Sequence, residues 1–300
     1  MNQMKLPRND RTTMKILLVS MLLLGPVLSA QTATPINATN KYAYGANLGW
    51  IDWRGDTNNG AVIGEYVCSG YIYAANVGWI HLGGGSPANL IQYQNNASND
   101  YGVNHDGLGN LRGYAYGANI GWINFGANGA AKVDLSSGKL SGSIYSANCG
   151  WISLTNVFAH VQTDTIQSGA DGDGDGITDA WELSYTNTLT AFTALSDTDG
   201  DGVSDKNEYF ADTNPTDSID RLVITDYLTT PGGTLATLTW KSRPTRHYYL
   251  QKNHDVTTTS WLDSGLGLIV PDGVSTMRMF GDTNAPLRFY HVEAVKPLSP

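Results

Sequence analysis

The first half of the chain is built on alternation interrupted by one turn. Residues 42–53 read YAYGANLGWIDW, and the pattern returns at 71–82 (YIYAANVGWIHL), 114–125 (YAYGANIGWINF) and 143–154 (SIYSANCGWISL). Each copy begins with a period-two run, so Tyr42 and Tyr44, or Tyr114 and Tyr116, share one strand face. An Ala-Asn-x-Gly turn follows. Gly49, Gly78, Gly121 and Gly150 supply a positive φ there, and Asn47, Asn76, Asn119 and Asn148 bond the turn backbone. The returning strand puts Ile51/Trp53, Ile80/Leu82, Ile123/Phe125 and Ile152/Leu154 on one face, which is predicted to be core. The tryptophans at 50, 79, 122 and 151 are separated by 29, 43 and 29 residues, so the second pair of copies repeats the first at an offset of 72. Such self-similarity predicts a stacked or duplicated supersecondary unit.

The opposite face carries Trp50 beside Asp52, Trp79 beside His81, Trp122 beside Asn124 and Trp151 beside Ser153. Two readings stand. The tryptophans are half-exposed platforms that stack on sugar rings, with hydrogen-bonding neighbours. Alternatively, Trp and Tyr of adjacent units pack together as a second core. Recurrence in every unit is what a structural repeat demands, and that weighs toward packing.

From residue 221 onward the alternating segments become short: 222–227, 235–241, 247–252, 274–280 and 288–295, separated by turn signals at 231–233 and 271–273. Six or seven strands in about 80 residues predict a small β-sandwich of fibronectin-like type. Trp240, Tyr249, Trp261 and Tyr290 are its expected core.

Between these regions the pattern turns acidic. Residues 171–182 (DGDGDGITDAWE) and 197–208 (DTDGDGVSDKNE) place carboxylates at positions 1, 3, 5, 9 and 12 of a twelve-residue frame, with Gly176 and Gly202 at position 6. Hard cations such as Ca²⁺ take six to eight oxygen ligands, and this spacing wraps a short loop around one ion. The expected metal ligands are Asp171, Asp173, Asp175, Asp179 and Glu182 in the first loop, and Asp197, Asp199, Asp201, Asp205 and Glu208 in the second. Glu at position 12 can bind bidentately, and Asp at position 9 directly or through water. Position 7 (Ile177, Val203) would offer its carbonyl under EF-hand geometry. The competing reading is a solvated acidic linker. Residues 171–220 hold 13 acids and one base, a net of −12 against −9 for the whole chain, so the remainder sums to +3. That density is self-repelling unless cations neutralise it. A disordered tract would also lack the apolar anchors Ile177, Trp181, Leu183, Val203, Tyr209 and Phe210.

These loops depart from the EF-hand. Their apolar residue sits at position 7 instead of 8, and no long helix precedes either loop. The segment resembles the thrombospondin type 3 calcium repeats of secreted bacterial proteins, and residues 208–217 are similar to the acidic-Pro connector that follows such loops. The resemblance implies that Asp212 and Asp217 either support the ligands from behind or complete a further ligand set. The Trp-containing units resemble a Gly-Trp-Ile repeat of otherwise uncharacterised secreted bacterial proteins, from which no activity follows. An acidic calcium segment followed by a sandwich resembles the end of exported surface proteins, which implies a display or spacing role.

Residues 14–30 form an apolar run of signal-peptide length behind Lys5, Arg8, Arg11 and Lys15, with small residues Ser29 and Ala30 at the expected cleavage point. It is shorter than the roughly 20 apolar residues of a membrane span. Export suits weak calcium sites. A charged fraction of 15% with 34 glycines reads as turn-rich β protein. With a pI near 5.0 and no basic patch, nucleic-acid binding is not expected. Cys68 and Cys149 could pair in an oxidising compartment, but each occupies an apolar slot of the repeat and reads equally as a buried hydrophobe.

The expected architecture is therefore mainly β: a signal peptide at 1–30, a four-copy repeat domain at 31–165, two calcium loops with brief helices at 166–220, and a β-sandwich at 221–300. The expected function is a secreted or cell-surface structural or adhesive protein in which Ca²⁺ stiffens the joining segment. The alternative is a carbohydrate-binding protein using the Trp/Tyr face, with a glycan or matrix partner. No HExxH, GxSxG or phosphate cradle is present and the six histidines are scattered, so no enzyme is expected. A secreted hydrolase would need a pocket of convergent polar groups.

Overall fold

A computed structural model describes residues 34–126, 128–230, 233–255, 257, 260–282 and 288–300. The expected signal peptide lies outside the described residues. Four antiparallel hairpins form the first half: Ile36–Gly45 with Gly49–Asp52, Cys68–Ala74 with Gly78–Gly84, Leu111–Gly117 with Gly121–Asn124, and Ser143–Ser146 with Gly150–Ser153. They do not stack as an open array. Each hairpin pairs with the next through Ile51↔Ala74, Ile80↔Gly117 and Ile123↔Ser146, and the fourth returns to the first through Ile152↔Gly45 and Tyr44↔Ser153. The result is a closed eight-stranded antiparallel barrel, and closure removes the edges an open sheet would expose.

The interior is filled by side chains in tiers of four. Ile51, Ile80, Ile123 and Ile152 are fully buried, as are their partners two residues on, Trp53, Leu82, Phe125 and Leu154. Both tiers match the face predicted to be core. Alternation alone cannot say whether a strand curls, and the tight steps come from small residues. Gly45, Ala74, Gly117 and Ser146 each oppose the isoleucine of an adjacent hairpin. A Cβ on Gly45 would lie 3.2 Å from Ile152 Cγ1, and one on Gly117 3.2 Å from Ile80 Cγ1.

The turns close one mouth. Leu48, Val77, Ile120 and Cys149 point to the core. The turn asparagines do not bond their own turns as expected. Asn76 Nδ2 donates to the Leu48 carbonyl (3.0 Å), Asn119 to Val77 (3.0 Å), Asn148 to Ile120 (3.0 Å) and Asn47 to Cys149 (3.1 Å). Every turn thus holds its neighbour, and the four bonds form a ring.

The tryptophans ride outside the barrel. Trp50, Trp79, Trp122 and Trp151 are 45–50% exposed, and none enters a second core between units. Each sits directly across its own hairpin from a tyrosine: Tyr44, Tyr73, Tyr116 and Tyr145, with ring centroids 5.0, 4.8, 4.9 and 5.0 Å apart.

Beyond residue 220 lie two three-stranded antiparallel sheets. One joins Ile224–Thr229, Leu235–Lys241 and Ser275–Gly281; the other joins Leu262–Asp263, His247–Asn253 and Phe289–Val295. They share a core of Ala236, Leu238, Trp240, Tyr248, Leu250, Ile269, Phe280 and Val292. Trp240 fills it as expected and Tyr290 packs beside it. Tyr248 takes the place expected of Tyr249, because a one-residue difference in parity swaps the faces of a strand. Trp261 instead stacks on His291 with centroids 5.6 Å apart. After the last strand the tail returns to the barrel, where the Ile166 amide donates to the Leu298 carbonyl at 2.8 Å. No helix among the described residues is long and apolar enough to cross a membrane.

Candidate metal centre

The two acidic segments fold alike. In the first, Asp171 accepts the amides of Gly174 (2.8 Å) and Gly176 (3.0 Å), while Asp175 accepts that of Ile177 (2.8 Å). In the second, Asp197 accepts those of Gly200 (2.9 Å) and Gly202 (3.0 Å), and Asp201 that of Val203 (2.8 Å). The loop can turn this sharply because positions 4 and 6 are left-handed: Gly174 and Gly176 have φ of 78° and 90°, Gly200 and Gly202 of 76° and 91°. Position 6 was legible from the frame. Position 4 was missed, although glycine stands there in both copies.

Each loop runs into a helix of about two turns, α1 (Asp179–Tyr185) or α2 (Asp205–Ala211). The helices swing Glu182 and Glu208, the position-12 carboxylates, back over their loops. Both are fully buried. Between the helices lies a small core of Ile177, Trp181, Phe192 and Tyr209, against which Tyr66 of the barrel packs.

One carboxylate oxygen from each of Asp171, Asp173 and Asp175 lies within 4.8 Å of the other two, and the same holds for Asp197, Asp199 and Asp201. Among the described residues no further group of three His, Cys, Asp or Glu has this arrangement. Around each trio, buried oxygens have no hydrogen-bond partner. They are Asp175 Oδ2 and both oxygens of Glu182 in the first loop, and Asp199 Oδ2, Asp201 Oδ2 and Glu208 Oε2 in the second. Glu208 Oε1 alone is served, by the Thr213 hydroxyl at 3.0 Å. Arg221 lies 3.7 Å from Asp201 Oδ2. Burying the remaining carboxylate oxygens without a partner costs several kcal/mol, so repeating the arrangement in two loops favours a compensating cation in each. The titration behaviour agrees. Burial, then repulsion from Asp173 and Asp175, pushes Glu182 up to about 8. Burial raises Glu208 to about 7 against the opposing Thr213 bond. Asp175 and Asp199 are also raised, chiefly by burial. The donor set is all-oxygen and anionic, which suits a hard divalent cation.

The position-9 aspartates are placed differently. Asp179 Oδ1 accepts the Gly172 amide at 2.6 Å, and Asp205 accepts the Thr198 amide (3.0 Å) and the hydroxyls of Ser196 (2.6 Å) and Thr198 (2.8 Å). They tie the loop entrance to the first turn of the helix and stand outside the two trios. Asp212 and Asp217 are also elsewhere. Asp212 takes the Thr245 hydroxyl and lies 3.7 Å from Arg246, and Asp217 accepts the Ile219 amide at 3.1 Å.

Sequence reasoning missed the cations that hold this segment in place. Arg246 donates to the carbonyls of Phe210 (2.8 Å) and Tyr209 (3.0 Å). Glu65 of the barrel meets Lys296 Nζ at 2.9 Å and the Tyr209 hydroxyl at 3.3 Å, with Arg246 at 3.7 Å. Tyr209 therefore stands where barrel, loops and C-terminal sheets meet. No periodicity points to these contacts, since each joins residues at least 36 positions apart along the chain.

Comparison with known families touches this segment alone. The family model described as bacterial TSP3 repeat matches residues 171–188 and 197–218. No curated protein and no solved structure matches the chain. Residues 171–218 thus carry thrombospondin type 3-like repeats of the bacterial kind, each with its loop, buried glutamate and short helix.

Proposed function

We propose that this chain is an exported, non-enzymatic structural or adhesive protein in which two Ca²⁺ ions fix the segment joining the barrel to the C-terminal sheets. The observation that carries the reading is the buried pair of Glu182 and Glu208 above the two aspartate trios, with both oxygens of Glu182 and Oε2 of Glu208 lacking a hydrogen-bond partner. Asp171, Asp173, Asp175 and Glu182 would hold one ion, and Asp197, Asp199, Asp201 and Glu208 the other. Divalent charge would relieve the repulsion within each loop, so metal binding supplies folding free energy to the segment. Because Tyr209 leads straight from the second loop to Glu65, Arg246 and Lys296, that ordering reaches both neighbours. Export is supported by the signal-like residues 14–30, and the sandwich reading by two sheets sharing one core.

The test is calorimetric titration of Ca²⁺ into chelator-treated protein, alongside Glu182→Gln and Glu208→Gln. Two sites are expected, with each variant losing one and melting at a lower temperature in calcium. No heat and an unchanged melting temperature at millimolar Ca²⁺ would reduce the loops to a folded acidic linker.

A further inference from the structure

The mouth of the barrel is unlike the rest of the surface. The spans 42–51, 71–80, 114–123 and 143–152 contain no charged residue. Around it stand four Trp–Tyr pairs with nearly equal exposure, held at nearly equal spacing by cross-strand pairing. Aromatic surface left in water at four corresponding places contributes nothing to the core, and exposed apolar surface gathered in this way marks interaction. Two strands separate one pair from the next, which places the indoles on the order of 10 Å apart around the rim.

An asparagine of the neighbouring hairpin stands over the glycine that precedes each tryptophan. The Asn76 carboxamide donates to the Leu48 carbonyl and sits 3.6 Å from where a Cβ on Gly49 would be, immediately before Trp50. That bond fixes the carboxamide and uses one of its donors. Asn119, Asn148 and Asn47 stand in the same way over Gly78, Gly121 and Gly150. The polar residues two positions after each tryptophan are already committed. Asp52 pairs with Lys41 at 2.7 Å, His81 with the Tyr101 hydroxyl at 2.7 Å, Asn124 with the Gly126 amide at 2.7 Å and Ser153 with the Thr155 carbonyl at 2.6 Å.

We infer that the rim binds a neutral polysaccharide, one sugar ring on each Trp–Tyr pair, with the adjoining asparagine hydrogen-bonding a hydroxyl. An aromatic face receives the C–H side of a sugar, and a fixed carboxamide can both donate to and accept from its hydroxyls. The absence of charge matches an uncharged ligand, and a Trp–Tyr pair repeated four times matches a polymer of repeating units, with Trp122 further flanked edge-on by Tyr101 at 4.9 Å. A bilayer fits less well. The apolar turn residues Leu48, Val77, Ile120 and Cys149 point into the barrel, so the tips carry only Ala and Asn, and no Lys or Arg faces anionic headgroups. This inference stands apart from the calcium loops, which play no part in the rim.

The experiment is affinity electrophoresis of the full chain through gels containing neutral gluco-, galacto-, manno- and N-acetylhexosamine polymers of α and β linkage. It is run with Ca²⁺ and with chelator, beside flotation with phosphatidylethanolamine–phosphatidylglycerol vesicles. Retardation by at least one polymer is expected in both ionic conditions. Trp50→Ala, Trp79→Ala, Trp122→Ala and Trp151→Ala should each weaken it by on the order of tenfold through lost multivalency, and the quadruple variant should abolish it. Asn76→Ala and Asn119→Ala, with unchanged circular dichroism, should weaken it as well. No retardation by any polymer, retardation that survives the quadruple variant, or binding to vesicles alone would overturn the assignment.

Discussion

Lys206, at position 10 of the second acidic loop, donates from Nζ to the carbonyl of Asp175, at position 5 of the first, at 2.9 Å. It is the only base between residues 171 and 220. It links the loops, so a change in one is felt in the other.

Replacing Lys206 with Met keeps most of the unbranched apolar stem and removes that bond. A hydrogen bond from a charged donor contributes about 1.5–3 kcal/mol. Partial exposure places this one at the low end. The calcium-loaded variant should melt several degrees lower, and stepwise titration should show its two sites filling more independently. Unchanged melting and unchanged coupling would remove Lys206 from any linking role.

Without metal, stability should depend on pH in the reverse of the usual carboxylate sense. Glu182 and Glu208 titrate near 8 and 7 in the fold, above the usual value near 4.5. The metal-free fold therefore holds protons that the unfolded chain releases, and its stability falls as pH rises from about 4.5 to about 8. Calcium, which needs the ionised form, should cancel the decline. Melting curves of chelated and calcium-loaded protein across that range are the check, and parallel curves would contradict the coupling.

His105 should act in the opposite direction. Its Nδ1 donates to the Gly64 carbonyl at 2.9 Å and its Nε2 accepts the Gly109 amide at 3.1 Å, so only the neutral ring fits. Burial lowers its pKa below 6.5. Its contribution is present above that value and is lost as pH falls below it. His105→Gln should abolish this acid-side loss, measured as the difference between variant and wild-type melting temperatures at about pH 5 and about pH 7.5.

Both cysteines are free thiols in the structure. Cys68 lies inside the barrel and burial pushes it up to about 12, which suppresses the reactive thiolate. Cys149 sits in the turn ring, partly accessible. A thiol reagent at neutral pH should label Cys149 first, and Cys68 only on unfolding. Rapid double labelling of the native protein would show that the barrel opens readily.

Much of this was legible in the chain. The isoleucine tier, the turn glycines and the two acidic loops follow from spacing, because period two and the twelve-residue frame are local properties. Closure of the barrel was not legible. The residue before each turn is Gly, Ala, Gly or Ser, and that smallness is the trace of a neighbouring isoleucine at close quarters, meaningful only once the neighbour is known. The asparagines were recognised as turn formers, but their partners lie 28, 42, 28 and 102 residues away. Asp179 and Asp205 illustrate another limit. The spacing marks each as a ligand position, while the bonds that close the loop onto the Gly172 and Thr198 amides show only in the fold.

The ring of turn asparagines also governs how this architecture can vary. In an open array of repeats a unit can be gained or lost at either end, and the remaining contacts are unaffected. Here the first hairpin is also the neighbour of the last, through Asn47 and Cys149 and through Gly45 and Ile152. Deleting a unit leaves two unmatched faces, and inserting one changes the diameter around which every interior tier is packed. The count of four is therefore a property of the whole and not of any unit. Natural variation should collect in the connections between hairpins, where the long link from the second to the third already holds Tyr101 against Trp122.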